Sequence, residues 1–316
     1  MKDNGLLLVN LGSPASPTTK DVRDYLQEFL GDPNVVTMPH WLWKPLLKGI
    51  ILPFRSPRSA SLYRNIWLDE GSPLMVYTKR ITDKVQQLLP DWDVQMAMTY
   101  GQPSIQETLH QMKQQCRHIT VLSLFPHYTK STTDSIIEQV HEYDERIPII
   151  DRFADNEEYL NLLANHINKA WQQANYELLF ISYHGIPQSM VKAGDPYQAE
   201  TQQTTNELKK RLVIPNHQIK MVYQSKFGPM PWLQPYLSQS LLEQAQLGAK
   251  RVLVVSPSFV ADCLETLEED GMQNAQLFSD HGGEKLTMLS SLNDDPTFAK
   301  FIVHLVKGAL HHLVLV

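Results

Sequence analysis

Short apolar runs recur along the chain, and a longer stretch with helical spacing follows most of them. The runs are LLLVNL (6–11), VQMAMTY (94–100), ITVLSLF (119–125), LLFISY (178–183), IKMVYQS (219–225) and RVLVVS (251–256). Between them, apolar residues at i, i+3 and i+4 predict helices over 17–30, 74–89, 103–116, 131–143, 156–173, 198–212, 234–247 and 262–278. Runs that are apolar at almost every position suit strands covered on both faces. Strands of that kind alternating with amphipathic helices predict an α/β fold with parallel sheets.

The two halves of the chain resemble each other. LLLVNLGSP (6–14) and LLFISYHGIP (178–187) both read strand, one residue, Gly, any residue, Pro. RHITVLSLFPHYTKSTTDSIIEQV and KRVLVVSPSFVADCLETLEED both read base, strand, Pro, loop, helix. Pro14 and Pro126 lie 112 residues apart, Pro187 and Pro257 only 70. An insertion at about 32–73 in the first half matches that difference. The pattern predicts two similar doubly wound, Rossmann-like domains, 1–150 and 151–316, with the last helix packing back on the first domain. Any two βα units look somewhat alike, and that remains the alternative.

The insertion contains VVTMPHWLWKPLLKGIILPFRSPRSASLYRNIW. It interleaves Trp41, Trp43, Leu46, Leu47, Ile50, Ile51, Leu52 and Phe54 with Lys44, Lys48, Arg55 and Arg58. Such a stretch suits a lip over an apolar pocket, or a patch at 39–54 lying on a membrane surface. A helix packed into the core is the plainer alternative. Prolines 39, 45, 53 and 57 argue against one long helix and favour the lip.

Composition narrows the choice. The formal net charge is −6 and no Lys/Arg-rich block occurs, which argues against nucleic acid as a partner. Cys116 and Cys263 are far apart and form no CxxC. The first twelve residues lack the length and cleavage site of a signal peptide, and no run reaches the ~20 apolar residues of a membrane span. The expectation is a cytoplasmic protein, with peripheral contact at the inner face of the membrane as an option for 39–54.

In open parallel sheets, ligands bind outside the carboxyl ends of the strands. His184 stands at such an end, next to Gly185. A histidine there can accept a proton or bind a metal, although a capped or core histidine is the bland reading. The position equivalent to His184 in the first half is Leu11. The segment SPSFVADCLETLEEDG adds Asp262, Glu265 and Glu269 at i, i+3 and i+7, with Glu268 one residue away. Asp262 alone would pass as a helix N-cap, and an acidic helix as a solvated face. A third segment, MVYQSKFGPMPWLQPY, offers Phe227, Met230 and Trp232 on a Gly- and Pro-stiffened loop that could stack on a flat ligand. No Walker loop, GxGxxG, GxSxG or HExxH is present.

These residues resemble the ferrochelatase family. LLLVNLGSP, EGSPLMVYT, SYHGIP, YQSKFGPMPWLQP, ADCLETLEE and SLNDDP match the family's pattern in the family's order, over nearly the whole chain. The resemblance implies two Rossmann-like domains facing a central cleft and insertion of Fe²⁺ into a porphyrin. Iron is then substrate, with no permanently bound cofactor. By the same resemblance His184 and Glu265 are the catalytic and metal-binding pair. Asp262, Glu268 and Glu269 form an acidic path. Leu11, Arg55, Tyr63, Ser72, Tyr100, Trp232 and Phe259 contact the macrocycle, which the family is thought to bind puckered.

The sequence departs from common members of the family. Cys263 replaces a histidine, Thr99 an arginine, and Gln273 a third carboxylate. The absence of a cysteine-bearing extension before Val316 argues against an iron–sulfur cluster. Members acting on coproporphyrin tend to carry Tyr at the position of Leu11, so Leu11 points to protoporphyrin IX. A porphyrin or haem carrier, and a chelatase for coproporphyrin III or another metal, are the competing readings.

Overall fold

The computed structural model describes residues 1–314, with side chains through residue 310. The chain divides into two compact units, Met1–Arg152 with the chain from Asn293 onward, and Phe153–Leu292.

The first unit begins with β1 (Lys2–Gly12), α1 (Thr19–Phe29), α2 (His40–Leu46), α3 (Leu52–Ile66) and α4 (Pro73–Leu88). It continues with β2 (Asp93–Tyr100), α5 (Ile105–Gln115), β3 (Cys116–Ser123), α6 (Ser135–Asp144) and β4 (Ile149–Ile150). The strands form one parallel sheet in the order β2-β1-β3-β4. Leu6, Leu7, Leu8 and Val9 are all fully buried, so β1 is covered on both faces. That coverage is why its sequence is a continuous apolar run rather than an alternating one. On one face Leu7 and Val9 meet Ile105, Leu109 and Met112 of α5 and Ile136 and Val140 of α6.

The second unit holds α7 (Glu157–Trp171), β5 (Leu178–His184), α8 (Gln188–Lys192), α9 (Tyr197–Arg211) and β6 (Ile219–Gln224). After these come α10 (Leu237–Gln246), β7 (Arg251–Val255), α11 (Asn274–Asp280) and β8 (Lys285–Met288). Its parallel sheet runs β6-β5-β7-β8, the same order as in the first unit. Phe180, Val222, Val252 and Val254 pack against Leu237, Leu241 and Phe278. In both units a π-helix follows the third strand: Lys130–Asp134 leading into α6, and Leu264–Gln273 leading into α11.

Several expectations need correction. The sequence placed the domain boundary at 150/151 and ran the second domain to the end of the chain, with its last helix packing back on the first domain. The second unit in fact stops at Leu292. The last helix, α12 (Pro296–Val314), belongs to the first unit and lies against α4. Phe298, Phe301, Ile302 and Val306 are buried there, and Lys84 Nζ lies 2.6 Å from Asp294 Oδ2.

The prolines of the insertion do not break it. The chain is helical from His40 to Ile66, through α2, a π turn at Leu47–Ile51 and α3. Pro39 is the N-cap residue of α2, and Pro53 falls in the first turn of α3, where a missing N–H costs little. Pro45 and Pro57 sit inside helices on exposed positions. Strands β4 and β8 escaped the apolar-run criterion because they are two and four residues long and only partly buried.

Gly12 ends β1 with φ of +109°, and a Cβ there would lie 1.8 Å from the Tyr100 carbonyl oxygen. Only glycine permits both that backbone conformation and that approach. Gly12→Ala is expected to lower unfolding stability by about 3 kcal/mol or more. A denaturant midpoint equal to that of the wild type would contradict this reading of the turn.

Candidate active site

The second unit gathers its polar chemistry at the carboxyl ends of β5, β6 and β7. His184 is the last residue of β5 and pairs with Gln224, the last residue of β6. Its Nδ1 lies 2.6 Å from the Gly185 carbonyl oxygen. A carbonyl only accepts, so the hydrogen bond assigns the proton of a neutral ring to Nδ1 and leaves a lone pair on Nε2. The imidazole is half-buried and flanked by Trp232 and Phe259, each with its ring centroid 6.3 Å away.

The loop after β6 holds Trp232 in place through backbone hydrogen bonds. Leu233 N donates to Ile186 O at 3.0 Å, and Gln188 N to Pro231 O at 2.9 Å. Gly185 has to be glycine at this point. A Cβ would lie 2.9 Å from Gln224 O and 3.2 Å from the Trp232 ring. Phe227 and Met230, which the sequence grouped with Trp232, are exposed on the same loop.

The acidic segment is a π-helix rather than an α-helix, and it starts at Leu264 with Cys263 as N-cap. Asp262 therefore precedes the helix. Its Oδ1 accepts from Thr266 Oγ1 at 3.2 Å and from Ser291 N at 3.0 Å, tying the helix start to the segment after β8. Glu265 is half-buried, and the Cys263 thiol hydrogen-bonds to it. Burial first, and the Glu265 charge next, push that thiol well above its ordinary range, so Cys263 is a neutral donor.

Glu269 accepts from Ser225 N at 2.8 Å and Ser225 Oγ at 2.5 Å. Ser225 reaches both carboxylate oxygens from a left-handed backbone, φ +64°. Burial raises the Glu269 carboxyl above its ordinary value, and the Glu265 charge adds to that. The Ser225 hydrogen bonds and His184 work in the opposite direction. His184 and Glu265 thus each lie within electrostatic reach of Glu269. Glu268 is buried and accepts from Gln273.

Sequence reasoning missed Asp270, Gln224, Ser225 and Ser256. Asp270 is fully buried, and burial, followed by the charge of Glu269, pushes its carboxyl well above the usual range. Its neighbours fit a protonated acid. Ser256 Oγ lies 3.2 Å from Gln224 Oε1 and 3.3 Å from Asp270 Oδ2, yet a hydroxyl has one proton to give. Both contacts are made if Asp270 donates to Ser256 and Ser256 donates to Gln224. Gln224 Nε2 then reaches Glu265 O at 3.3 Å, so the β6 end braces the π-helix. The sequence signal for this network was three polar residues closing apolar strands: Gln224 and Ser225 after IKMVY, and Ser256 after RVLVV.

In the first unit Leu11 and Tyr100 lie at the ends of adjacent strands, beside the Gly12–Tyr100 pair. The Tyr100 hydroxyl donates to Asp32 Oδ2 at 2.7 Å, and burial raises its ionisation far above the ordinary range. Ser72 is buried as the N-cap of α4, with Oγ accepting from Met75 N at 3.4 Å. Tyr63 is buried in α3 against Trp67, and Arg55 is half-buried on the same helix. His127, past the end of β3, is held down to about 3 by burial and stays neutral. Among the described residues no group of three His, Cys, Asp or Glu side chains is placed to hold a metal ion.

The Asp270 assignment has a sign that can be measured. A carboxyl raised in the folded state binds its proton while the unfolded chain has already lost its own. Stability is therefore fully present below the ordinary carboxylate range and is lost as pH rises through the raised value. Asp270→Asn is expected to flatten the fall in stability as pH rises above the ordinary carboxylate range, in thermal or denaturant unfolding. Parallel curves for variant and wild type would show Asp270 to be ionised throughout.

Residues 3–310 match the family model described as ferrochelatase. The coproporphyrin III ferrochelatase of Limosilactobacillus reuteri is 62% identical over 307 residues, covering 97% of this chain and 99% of that protein. The coproporphyrin III ferrochelatase of Lacticaseibacillus casei is 51% identical over 309 residues, with coverage of 97% and 96%. That of Lactococcus lactis subsp. cremoris is 45% identical over 308 residues, with coverage of 97% of each chain. Among solved structures, CbiX, the terminal enzyme for siroheme biosynthesis in denitrifying bacteria, aligns with a TM-score of 0.56 at 12% identity, covering 96% of this chain and 99% of that one. SirB from Bacillus subtilis aligns at 0.54 and 12%, with coverage of 96% and 94%. At that identity the structural matches speak for the fold alone, whereas the family model and the sequence relatives place this chain in the ferrochelatase family, as a metal chelatase.

Proposed function

We propose that this chelatase inserts Fe²⁺ into coproporphyrin III, with release of two protons. The observation that carries the substrate is the identity of 62% over 97% of the chain to a coproporphyrin III ferrochelatase. This replaces the protoporphyrin IX expectation drawn from Leu11. One residue on one wall is a weaker constraint than agreement along the whole sequence.

The balance of the reaction is simple. Two pyrrole N–H bonds break, four Fe–N bonds form, and the charge of Fe²⁺ is offset by the two departing protons. His184 Nε2, bearing the lone pair, accepts a pyrrole proton. Glu265 and Glu269 stabilise the imidazolium that results, and they draw the ferrous ion toward the nitrogen centre. The raised Glu269 carboxyl takes up a proton more readily than an exposed carboxylate, which suits it to pass protons on. Trp232 and Phe259, flanking the imidazole, offer apolar faces to the macrocycle beside the base. Leu11, Arg55, Tyr63, Ser72 and Tyr100 are further proposed macrocycle contacts. Tyr100 would act through its ring, because its hydroxyl is committed to Asp32.

The test is anaerobic metallation, following loss of porphyrin fluorescence and growth of the metalloporphyrin absorbance. With Fe²⁺, kcat/KM for coproporphyrin III is expected to exceed that for protoporphyrin IX. Faster turnover of protoporphyrin IX would restore the original substrate. His184→Ala is expected to bind porphyrin and metallate it at least about 100-fold more slowly, the scale of a lost general base. Glu265→Ala is expected to lose kcat with little change in porphyrin affinity. Porphyrin binding without metallation by the wild type would make the chain a carrier.

A further inference from the structure

Gln224 is tied to His184 and to Glu265 at once, through different parts of the residue. Its backbone carbonyl accepts from Gly185 N at 2.8 Å, and the Gly185 carbonyl takes the Nδ1 proton of His184 at 2.6 Å. Its side-chain Nε2 donates to the backbone carbonyl of Glu265 at 3.3 Å. His184 ends β5 and Glu265 lies near the start of the π-helix, so the two belong to separate elements. The end of β6 links them.

The carboxamide can sit only one way round. Ser182 Oγ lies 2.6 Å and Ser256 Oγ 3.2 Å from Gln224 Oε1. At the other end the partner is a carbonyl, which only accepts, so the NH₂ group has to face Glu265. Turned over, the amide would set its own oxygen against the Glu265 oxygen. Ser182 comes from β5 and Ser256 from the residue after β7, so three strand ends converge on one buried amide. The next residue, Ser225, holds the Glu269 carboxylate with its amide and its hydroxyl. Consecutive residues of one strand end therefore grip the π-helix at two acids four positions apart.

We propose that Gln224 is a positioning residue of the chelatase, whose carboxamide fixes where the π-helix presents Glu265 relative to His184. The inference rests on the proposed roles of His184 and Glu265 in metallation. The position asks one side chain to accept from two hydroxyls and to donate to a carbonyl. A hydrocarbon chain of the same length fills the space and does neither, and a carboxylate only accepts. Without the amide the start of the π-helix loses its tie to β6, and a displacement of about 1 Å is enough to slow a reaction about 100-fold.

The experiment is anaerobic metallation by Gln224→Met, Glu265→Ala and the double variant, using whichever of coproporphyrin III and protoporphyrin IX the wild type metallates faster. Porphyrin affinity is read separately, by quenching of tryptophan fluorescence. Gln224→Met is expected to lower kcat at least about tenfold while the porphyrin Kd stays within about twofold. In the Glu265→Ala background the same substitution is expected to change kcat by less than about twofold, because no carboxylate is left to position. Ile167→Ala, in the buried face of α7 in the same unit, lowers stability without touching the brace and is expected to keep the wild-type kcat. Circular dichroism checks that each variant is folded. If Gln224→Met does not fold, Gln224→Met with Ser182→Ala replaces it, since that pair also removes a hydroxyl left without its acceptor. The proposal is overturned by a wild-type kcat in the folded Gln224 variant, by an equal loss in both backgrounds, by a parallel loss of porphyrin affinity, or by an Ile167→Ala enzyme that is just as slow. A slow Glu265→Ala beside a fast Gln224→Met removes this proposal alone. A Glu265→Ala enzyme as fast as the wild type removes the role of Glu265 first, and this proposal with it.

Discussion

A carboxylate taken out of water has to be given donors or a proton, and the second unit is arranged around that requirement. Its π-helix sets Glu268 and Asp270 among buried residues and Glu269 among partly buried ones. The strand ends answer each of them. Ser225 gives Glu269 an amide and a hydroxyl, and Ser256 and Asn274 flank Asp270. Within the helix Gln273 serves Glu268. Truncating any of these partners leaves a buried acid group unsatisfied, which costs far more than the bond itself contributes. The result is a stiff polar floor, with His184 at its edge and the lone pair of Nε2 uncommitted by the Gly185 bond.

What the sequence made legible follows from the same physics. Strands buried on both faces announce themselves as apolar runs, and β1, β2, β3, β5, β6 and β7 were visible for that reason. His184 stood out because a polar residue ending such a run has no packing role. Asp270 did not stand out, because in LETLEED it reads as one more charge on a solvated face. Nothing in one-dimensional spacing marks a π-helix, and the α-helical period was applied to residues that do not follow it. The left-handed backbone of Ser225 was equally invisible. Glycine is the usual signal for that conformation, and here a serine accepts the strain and provides both donors to Glu269. The prolines of the insertion misled in the other direction, since their cost depends on which turn of which helix they occupy.

The two units share a strand order and a π-helix after the third strand, yet only one carries reactive groups at the paired strand ends. His184 and Gln224 close β5 and β6, while Leu11, one residue before the end of β1, and Tyr100, the last residue of β2, stand at the matching edge of the first unit. On that side His127, past the end of β3, is kept neutral by burial. One scaffold is thus used twice with different chemistry at the same edge, and the difference rests on a handful of side chains rather than on topology. The helical run α2–α3, with no counterpart between β5 and β6, is the main architectural departure.

The π turn at Leu47–Ile51 has a consequence for that run. Between Leu47 and Leu52 the buried stripe of Trp43, Leu47, Leu52 and Ser56 advances by five residues instead of four, yet the flanks stay in phase. This is what an α-helix becomes when one residue is added and neither end is free to rotate. Gly49 lies inside the turn, and a Cβ there would meet nothing within 4 Å. The turn is a place where the chain can change its length by one without scrambling which side of the helix is wet. An insertion or deletion here is absorbed as a local change of winding, while the same event further along α3 would rotate everything beyond it by about 100° and pull the buried stripe out of line.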